Sequence, residues 1–294
     1  MMDTQMKRGL LMGAFLISFL ESAYALEVQG HRGARWMRPE NTLPAFEYAL
    51  QVGVNTLELD TLITKDKQVV VHHDPALNPD ICLDPQGKKF TTQILIRSLT
   101  LKELKAYDCG SLVNPSFPQQ VAQPKTPIPT LEEVFQMVEQ SKLHTAKKVY
   151  FNIEIKIEEA HPEYSPSPEE FVKLVLAVVE KHNFMNRVIL QSFDLRTLKV
   201  ARQLEPKLPL SILIEDRPTE PGALVKLMKA YQAQILSPNY EWLTAQDVAE
   251  IHKMGGHVIP WTPNTKEHWQ SMIDKGVDGI ITDNPKELLD FLKR

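Results

Sequence analysis

From residue 26 onward, short apolar runs alternate with amphipathic stretches. The runs at 28–31, 56–62, 149–155, 188–192, 210–214, 234–238, 257–261 and 279–282 read as β-strands. Some are apolar at consecutive positions, such as Val188-Ile189-Leu190, as strands buried on both faces of a parallel sheet should be. Between them, apolar residues recur at helical spacing over 43–51, 131–140, 167–182, 195–204, 223–231, 244–254, 266–275 and 286–293. Thr130 with Glu133, and Ser167 with Glu170, have the spacing of N-terminal capping boxes. Eight strands, each followed by a helical or loop return, predict an α/β fold of the (β/α)8 TIM-barrel type, and the 294-residue length suits it. The rival is a doubly wound open sheet. That fold would carry a glycine-rich phosphate turn after its first strand, where this chain has His31-Arg32-Gly33.

The rhythm breaks once. Lys65-Asp66-Lys67-Gln68 reads as a tight turn joining 59–64 to 69–73, and from 74 to 130 no regular alternation is visible. This loop-rich segment reads as an insertion after the second barrel strand. It should sit over the C-terminal face of the barrel, where active sites lie. Residues 26–294 are expected to form one domain. No internal repeat or low-complexity tract is visible.

Residues 1–25 change the picture of location. Lys7 and Arg8 precede an apolar run from Leu10 to Leu20, and Ala23-Tyr24-Ala25 supplies the small residues read by a signal peptidase. The run falls short of the roughly 20 residues needed to span a bilayer. A cleaved signal peptide and an exported mature protein without a transmembrane segment are therefore expected, in the periplasm or secreted. Export in turn bears on Cys82 and Cys109, the chain's two cysteines. An oxidising compartment allows a disulfide between them; two buried thiols are the alternative. The net charge of -4 argues against nucleic acid as the main partner, but not against a phosphorylated small molecule. Oligomeric state leaves no mark in the sequence.

Candidate chemistry gathers at strand ends. Glu58 and Asp60 are two apart on one strand, so their side chains share a face. Glu154 and Lys156 are similarly placed on another. Barrel geometry brings both pairs to one mouth, where three carboxylates would favour Ca2+ or Mg2+ over zinc. The alternative is a set of barrel ion pairs, for instance Lys156 with Glu58. Arg32 can hold a phosphate, and His31 and His73 can exchange protons with attacking and leaving oxygens. Alternation sends His72 and His73 to opposite sides without saying which faces inward. Phe193 and Trp261 end strands and either pack in the core or meet a substrate's carbon backbone.

Several motifs together resemble the glycerophosphodiester phosphodiesterases. They are His31-Arg32-Gly33, Pro39-Glu40-Asn41-Thr42, Glu58-Leu59-Asp60, His73-Asp74, Asn152-Ile153-Glu154-Ile155-Lys156, Gln191-Ser192-Phe193, Trp261-Thr262 and Thr282-Asp283-Asn284-Pro285. They run in order through essentially all of the chain after residue 25. The resemblance implies a barrel with an insertion after His73, and selects His73 over His72. It implies a divalent metal on Glu58, Asp60 and Glu154, acid–base roles for His31 and His73, and phosphate contacts from Arg32 and Lys156. The exported form resembles the periplasmic members, which implies Ca2+ ahead of Mg2+ and broad tolerance of the alcohol group. The expected reaction is hydrolysis of glycerophosphodiesters to sn-glycerol 3-phosphate and an alcohol. Cleavage of lysophospholipids, or a binding or adhesion role on the same scaffold, are the alternatives.

Overall fold

The structure is a computed structural model and describes residues 26–293; the expected signal peptide lies outside them. Eight parallel strands form the barrel. In chain order β1 is Glu27–Gly30 and β2 is Thr56–Ile63, and a short β3, Val69–Val71, folds back antiparallel on β2. The remaining strands are β4 (Tyr150–Ile155), β5 (Val188–Ser192), β6 (Leu210–Ile214), β7 (Ile235–Pro238), β8 (His257–Val258) and β9 (Gly279–Thr282). Hydrogen-bonded neighbours follow the order β8-β7-β6-β5-β4-β2-β1-β9. The ring is closed by Asp278 N–H donating to Val258 O at 2.9 Å, Ile281 N–H donating to Pro260 O at 3.0 Å, and a bridge between Trp261 and Ile281.

Strand β8 is shorter than the run at 257–261 suggests. Pro260 has no N–H to add to a ladder, so regular pairing stops at Val258 and resumes at the Trp261 bridges. Helices α1 (Leu43–Val52), α2 (Leu101–Leu104), α3 (Leu131–Gln140), α4 (Pro168–Lys181), α5 (Leu195–Leu204), α6 (Ala223–Tyr231), α7 (Ala245–Lys253), α8 (Lys266–Lys275) and α9 (Pro285–Leu292) complete the fold. Thr130 caps α3 through a full capping box, as its spacing predicts, while Ser167 supplies its side-chain oxygen to Glu170 N at the start of α4.

Period-two alternation divides each strand. Leu57 and Leu59 turn outward into the main core with Phe46, Phe135 and Phe151, each burial contributing roughly 1.5–3 kcal/mol. Inside the barrel, Ile189, Ile235, Ile259 and Ile281 form a plug. A polar layer also lies within: Asn152 donates to Gln29 Oε1 at 2.8 Å and to Gln191 Oε1 at 2.9 Å.

The insertion is more ordered than its sequence rhythm suggests. It packs a small core of its own, including Leu77, Ile81, Ile96, Leu104 and Ile128, against Leu62 of β2 and Val70 of β3. Cys82 and Cys109 are joined by a disulfide within it. Helix α2 escapes a reading by periodicity because it spans four residues, although Thr100 and Glu103 cap it. Among the described residues, no helix is long and apolar enough to cross a membrane.

Candidate active site

The C-terminal ends of the barrel strands open on a cavity of about 360 Å3. His31, Arg32, Glu58, Asp60, His73, Glu154, Lys156, Phe193 and Trp261 all line it. A larger open groove of about 720 Å3, bordered by Leu43 of α1 and Met137 of α3, contains none of them.

Sheet register sets the acidic cluster. Asp60 lies opposite Glu154, and Glu58 lies opposite Asn152, one layer deeper. One oxygen from each of Glu58, Asp60 and Glu154 falls within 4.8 Å of the others, and all three residues are buried. Burial, reinforced by Asp60, pushes the Glu58 carboxyl well above its usual range. Burial also raises Glu154, with Lys156 opposing. Asp60 goes the other way: burial opposes its ionisation, but Arg32, His73 and Lys156 together hold it well below the normal value. Such a crowded, all-oxygen donor set fits a hard divalent cation, whose charge would allow all three carboxylates to ionise together.

Lys156 Nζ lies 3.0 Å from Glu154 Oε1 and 3.9 Å from Asp60 Oδ1. It does not pair with Glu58, because Lys156 stands two residues above Glu154 and Glu58 lies below. Glu58 is held instead by Arg32 N–H, donating to Oε2 at 2.8 Å, and by Gln191, whose Nε2 donates to Oε1 at 2.8 Å.

The turn after β1 explains the His-Arg-Gly sequence. Gly33 has φ +85°, and a Cβ there would come within 2.8 Å of the backbone of Ala45 in α1. Arg32 also lies in the left-handed region, at φ 50°. Its backbone is tied to Glu58, its Nη1 donates to Glu40 Oε1 at 2.6 Å, and its Nε stands 3.3 Å from Asp60 Oδ2. Burial disfavours the guanidinium charge, but Glu40 and Asp60 outweigh that and raise its pKa.

Each cavity histidine has a carboxylate behind it. His31 Nδ1 lies 2.6 Å from Asp283 Oδ1, which leaves Nε2 facing the acidic cluster, 4.0 Å from Glu58 Oε2. Asp283 is fixed in turn by Asn264, which donates to Oδ2 at 2.7 Å, and by Arg35 Nε, 3.1 Å from Oδ1. Burial lowers the His31 pKa, against the pull of Asp283. His73 Nδ1 lies 2.7 Å from Asp74 Oδ1, and Asp74 accepts from Asn78. His72 is buried away from the cavity, and its Nε2 has no partner among the described residues. That settles which of the adjacent pair looks inward.

Phe193 is 43% exposed and meets Trp261 edge to face, with centroids 5.6 Å apart. Trp261 Nε1 donates to Ser237 O at 2.9 Å, which fixes the ring at the cavity wall. Glu40, Asn41, Gln191, Asn264 and Asp283 are site residues that sequence reasoning did not assign. Glu40, Asn41, Gln191 and Asp283 stand inside the strand-end motifs, and an unassigned carboxylate or amide there is itself a signal. Their partners lie outside their own motifs, from 8 residues away for Glu40 to 252 for Asp283. Asn41, for instance, donates to Asp60 Oδ2 at 2.7 Å.

Comparison with known proteins agrees with this geometry. The model of the glycerophosphoryl diester phosphodiesterase family matches residues 31–287. A glycerophosphodiester phosphodiesterase from Caldanaerobacter subterraneus subsp. tengcongensis is 34% identical, over 91% of this chain and 98% of its own. One from Bacillus altitudinis is 31% identical, over 88% and 95%. The crystal structure of a putative glycerophosphoryl diester phosphodiesterase from Silicibacter pomeroyi superposes with a TM-score of 0.85 at 32% identity, covering 92% of this chain and 94% of that one. With a closed barrel, a matching family model and relatives aligned along nearly their whole lengths, this chain belongs to the glycerophosphoryl diester phosphodiesterase family of enzymes.

Proposed function

We propose that the protein hydrolyses glycerophosphodiesters such as glycerophosphocholine and glycerophosphoethanolamine to sn-glycerol 3-phosphate and an alcohol. It does so with a divalent cation on Glu58, Asp60 and Glu154, Ca2+ ahead of Mg2+. The observation that carries this reading is the convergence, on one cavity, of a buried carboxylate cluster, two cations and two carboxylate-backed histidines.

The bound cation supplies Lewis acidity toward the phosphoryl oxygens. Arg32 and Lys156 add fixed positive charge where negative charge grows in the transition state. One histidine takes a proton from the attacking oxygen and the other gives one to the leaving oxygen, so protons balance over the turnover. Asp283 and Asp74 each orient their histidine and stabilise its charged form. Trp261 and Phe193 pack against the carbon skeleton of the substrate.

Export belongs to the same proposal. The disulfide supports it, because such bonds persist in oxidising compartments. Protein recovered from the periplasm or medium should begin at Leu26, by N-terminal sequencing.

The test of the activity is incubation of the mature protein with glycerophosphocholine, with glycerol 3-phosphate release coupled to a dehydrogenase. Release that EDTA stops and that Ca2+ restores better than Mg2+ is the expected result. No release under any condition from folded protein would overturn the reading.

A further inference from the structure

Residues 114–121 of the insertion lie against the turn that follows β1. The sequence folds this strap from two successive tight turns. Phe117 N–H donates to Asn114 O at 2.8 Å, and Gln120 N–H donates to Phe117 O at 3.0 Å. Pro115 and Pro118 each stand second in their turn, where a fixed φ suits it. Gln120 then ties the strap down. Its Oε1 accepts from Asn114 N–H at 3.1 Å and its Nε2 donates to Arg35 O, while Val121 N–H donates to Met37 O at 3.0 Å.

Phe117 is only 5% exposed, yet it belongs to neither the barrel core nor the insertion's core. Nor does it line the catalytic cavity. Its ring packs instead under the Arg35 guanidinium, whose Cζ lies 4.4 Å from the ring centre, and meets Trp36 edge to face at 5.6 Å.

Arg35 does reach the cavity. Its Nε stands 3.1 Å from Asp283 Oδ1, the same oxygen that meets His31 Nδ1 at 2.6 Å. That Nε is buried and makes no well-aligned hydrogen bond among the described residues. Charge draws Arg35 to Asp283, but charge alone does not fix the direction of a guanidinium. The face of Phe117 supplies that restraint, since a guanidinium stacks on an aromatic ring. A parallel contact steadies the other side of the turn. Asn114 Nδ2 donates to Glu40 Oε2 at 3.4 Å, and the other oxygen of Glu40 holds Arg32 Nη1 at 2.6 Å.

We propose that Phe117 is a positioning residue for the reaction. Through Arg35 and Asp283 it sets the imidazole of His31, so the insertion governs turnover from outside the cavity. The proposal rests on the diesterase reading above and on the acid–base role of His31 within it.

The test is a double-mutant cycle on the mature protein with Ca2+ present, read as kcat and KM for glycerophosphocholine. Phe117→Leu should lower kcat about tenfold, within the cost of a small misplacement of a reacting group, and leave KM close to that of wild type. Phe117→Tyr keeps the ring face and should retain most of kcat. Arg35→Met should lower kcat at least as much as Phe117→Leu does. Adding Phe117→Leu to Arg35→Met should then cost less than about twofold more, because residues in one chain of contacts lose their effect together. Wild-type kcat in either single variant overturns the proposal, whatever happens to the unfolding midpoint. So does a full further loss when Phe117→Leu is added to Arg35→Met. Both results leave the diesterase reading standing. No cleavage by the folded wild-type protein overturns both.

Discussion

His31 and Asp283 lie 252 residues apart in the chain and 2.6 Å apart in space. The contact exists because β1 and β9 are neighbours in the closed ring, with Gly30 in register with Thr282. Each residue follows its strand directly, so both side chains arrive at the same mouth. Asp283 accepts from Nδ1 and thereby fixes Nε2 as the nitrogen that faces the carboxylate cluster. Changing Asp283→Asn should lower kcat by about 100-fold, the scale of a misdirected acid–base group, with a much smaller change in KM. Steady-state kinetics on glycerophosphocholine would check this. A KM effect with kcat intact would show instead that Asp283 shapes binding.

The adjacent histidines separate by role. His73→Ala should cost about 10²–10⁴-fold in kcat while the unfolding midpoint stays close to that of wild type, since the side chain is partly exposed. His72 is buried, and its pKa is lowered by that burial. Its removal should appear in thermal unfolding. Wild-type activity in His73→Ala would remove that residue from the acid–base pair.

How much of this site is legible in the chain depends on the range of the interaction. Glu58 and Asp60 share a face by strand periodicity alone, and so do Glu154 and Lys156. Their convergence follows from parallel register, so the carboxylate cluster is readable once the barrel is recognised. The partner of Lys156 is not, because Glu58 and Asp60 differ by one layer of the barrel. Only the register of β2 against β4 puts Asp60, not Glu58, beside it. Gln191 and Asp283 act across still longer gaps, reaching Glu58 and His31 over 133 and 252 residues. Glu40, Asn41 and Asn264 find partners 8 to 19 residues away, but through turns whose path no periodicity gives. The fold shows the same division. Most strand limits follow the apolar runs, whereas Pro260 cuts β8 short and the insertion hides its small core behind irregular spacing.

Metal binding has a readout independent of turnover. A cation that binds the folded protein alone stabilises it by about 2.7 kcal/mol at a hundredfold excess over Kd, or roughly 5–10 °C in unfolding midpoint for a domain of this size. Ca2+ should therefore raise the midpoint of EDTA-treated wild-type protein. Asp60→Asn should abolish that rise. A rise retained in Asp60→Asn would place the cation elsewhere.

The Cys82–Cys109 disulfide closes a loop of 27 residues' separation around the insertion's core. On the chain-entropy model it contributes about 3–4 kcal/mol. A protein carrying Cys82→Ala and Cys109→Ala should unfold at lower urea, with the loss concentrated in the insertion. Hydrogen exchange would then show faster exchange around Leu77 and Leu104 than in the barrel strands. Uniform loss of protection would mean that the insertion and the barrel unfold as one unit.

At the opposite end of the barrel from the cavity, Asp278 bridges two histidines. Its Oδ2 lies 2.9 Å from His252 Nε2 and its Oδ1 lies 3.3 Å from His257 Nδ1. The hydrogen bond to Asp278 is the main cause that raises the His257 pKa above 6.5, with Glu27 adding to it and burial opposing. A histidine raised on folding contributes stability that is complete below its unfolded value and fades as pH climbs through its folded value. Asp278 is held below its usual value despite burial, so its own contribution is lost only in more acidic solution, below about pH 4. Glu27 is raised by burial, and charged His257 holds part of that rise down, so this attraction too is lost in the variant and adds to the gap at lower pH. The expected result is that His257→Gln lowers the urea midpoint at about pH 5.5 and that the gap narrows by about pH 9. The gap should be modest, since the pair is partly exposed and screened. A gap that widened with pH would reverse the sign and show that neutral His257, through its packing, is the stabilising form.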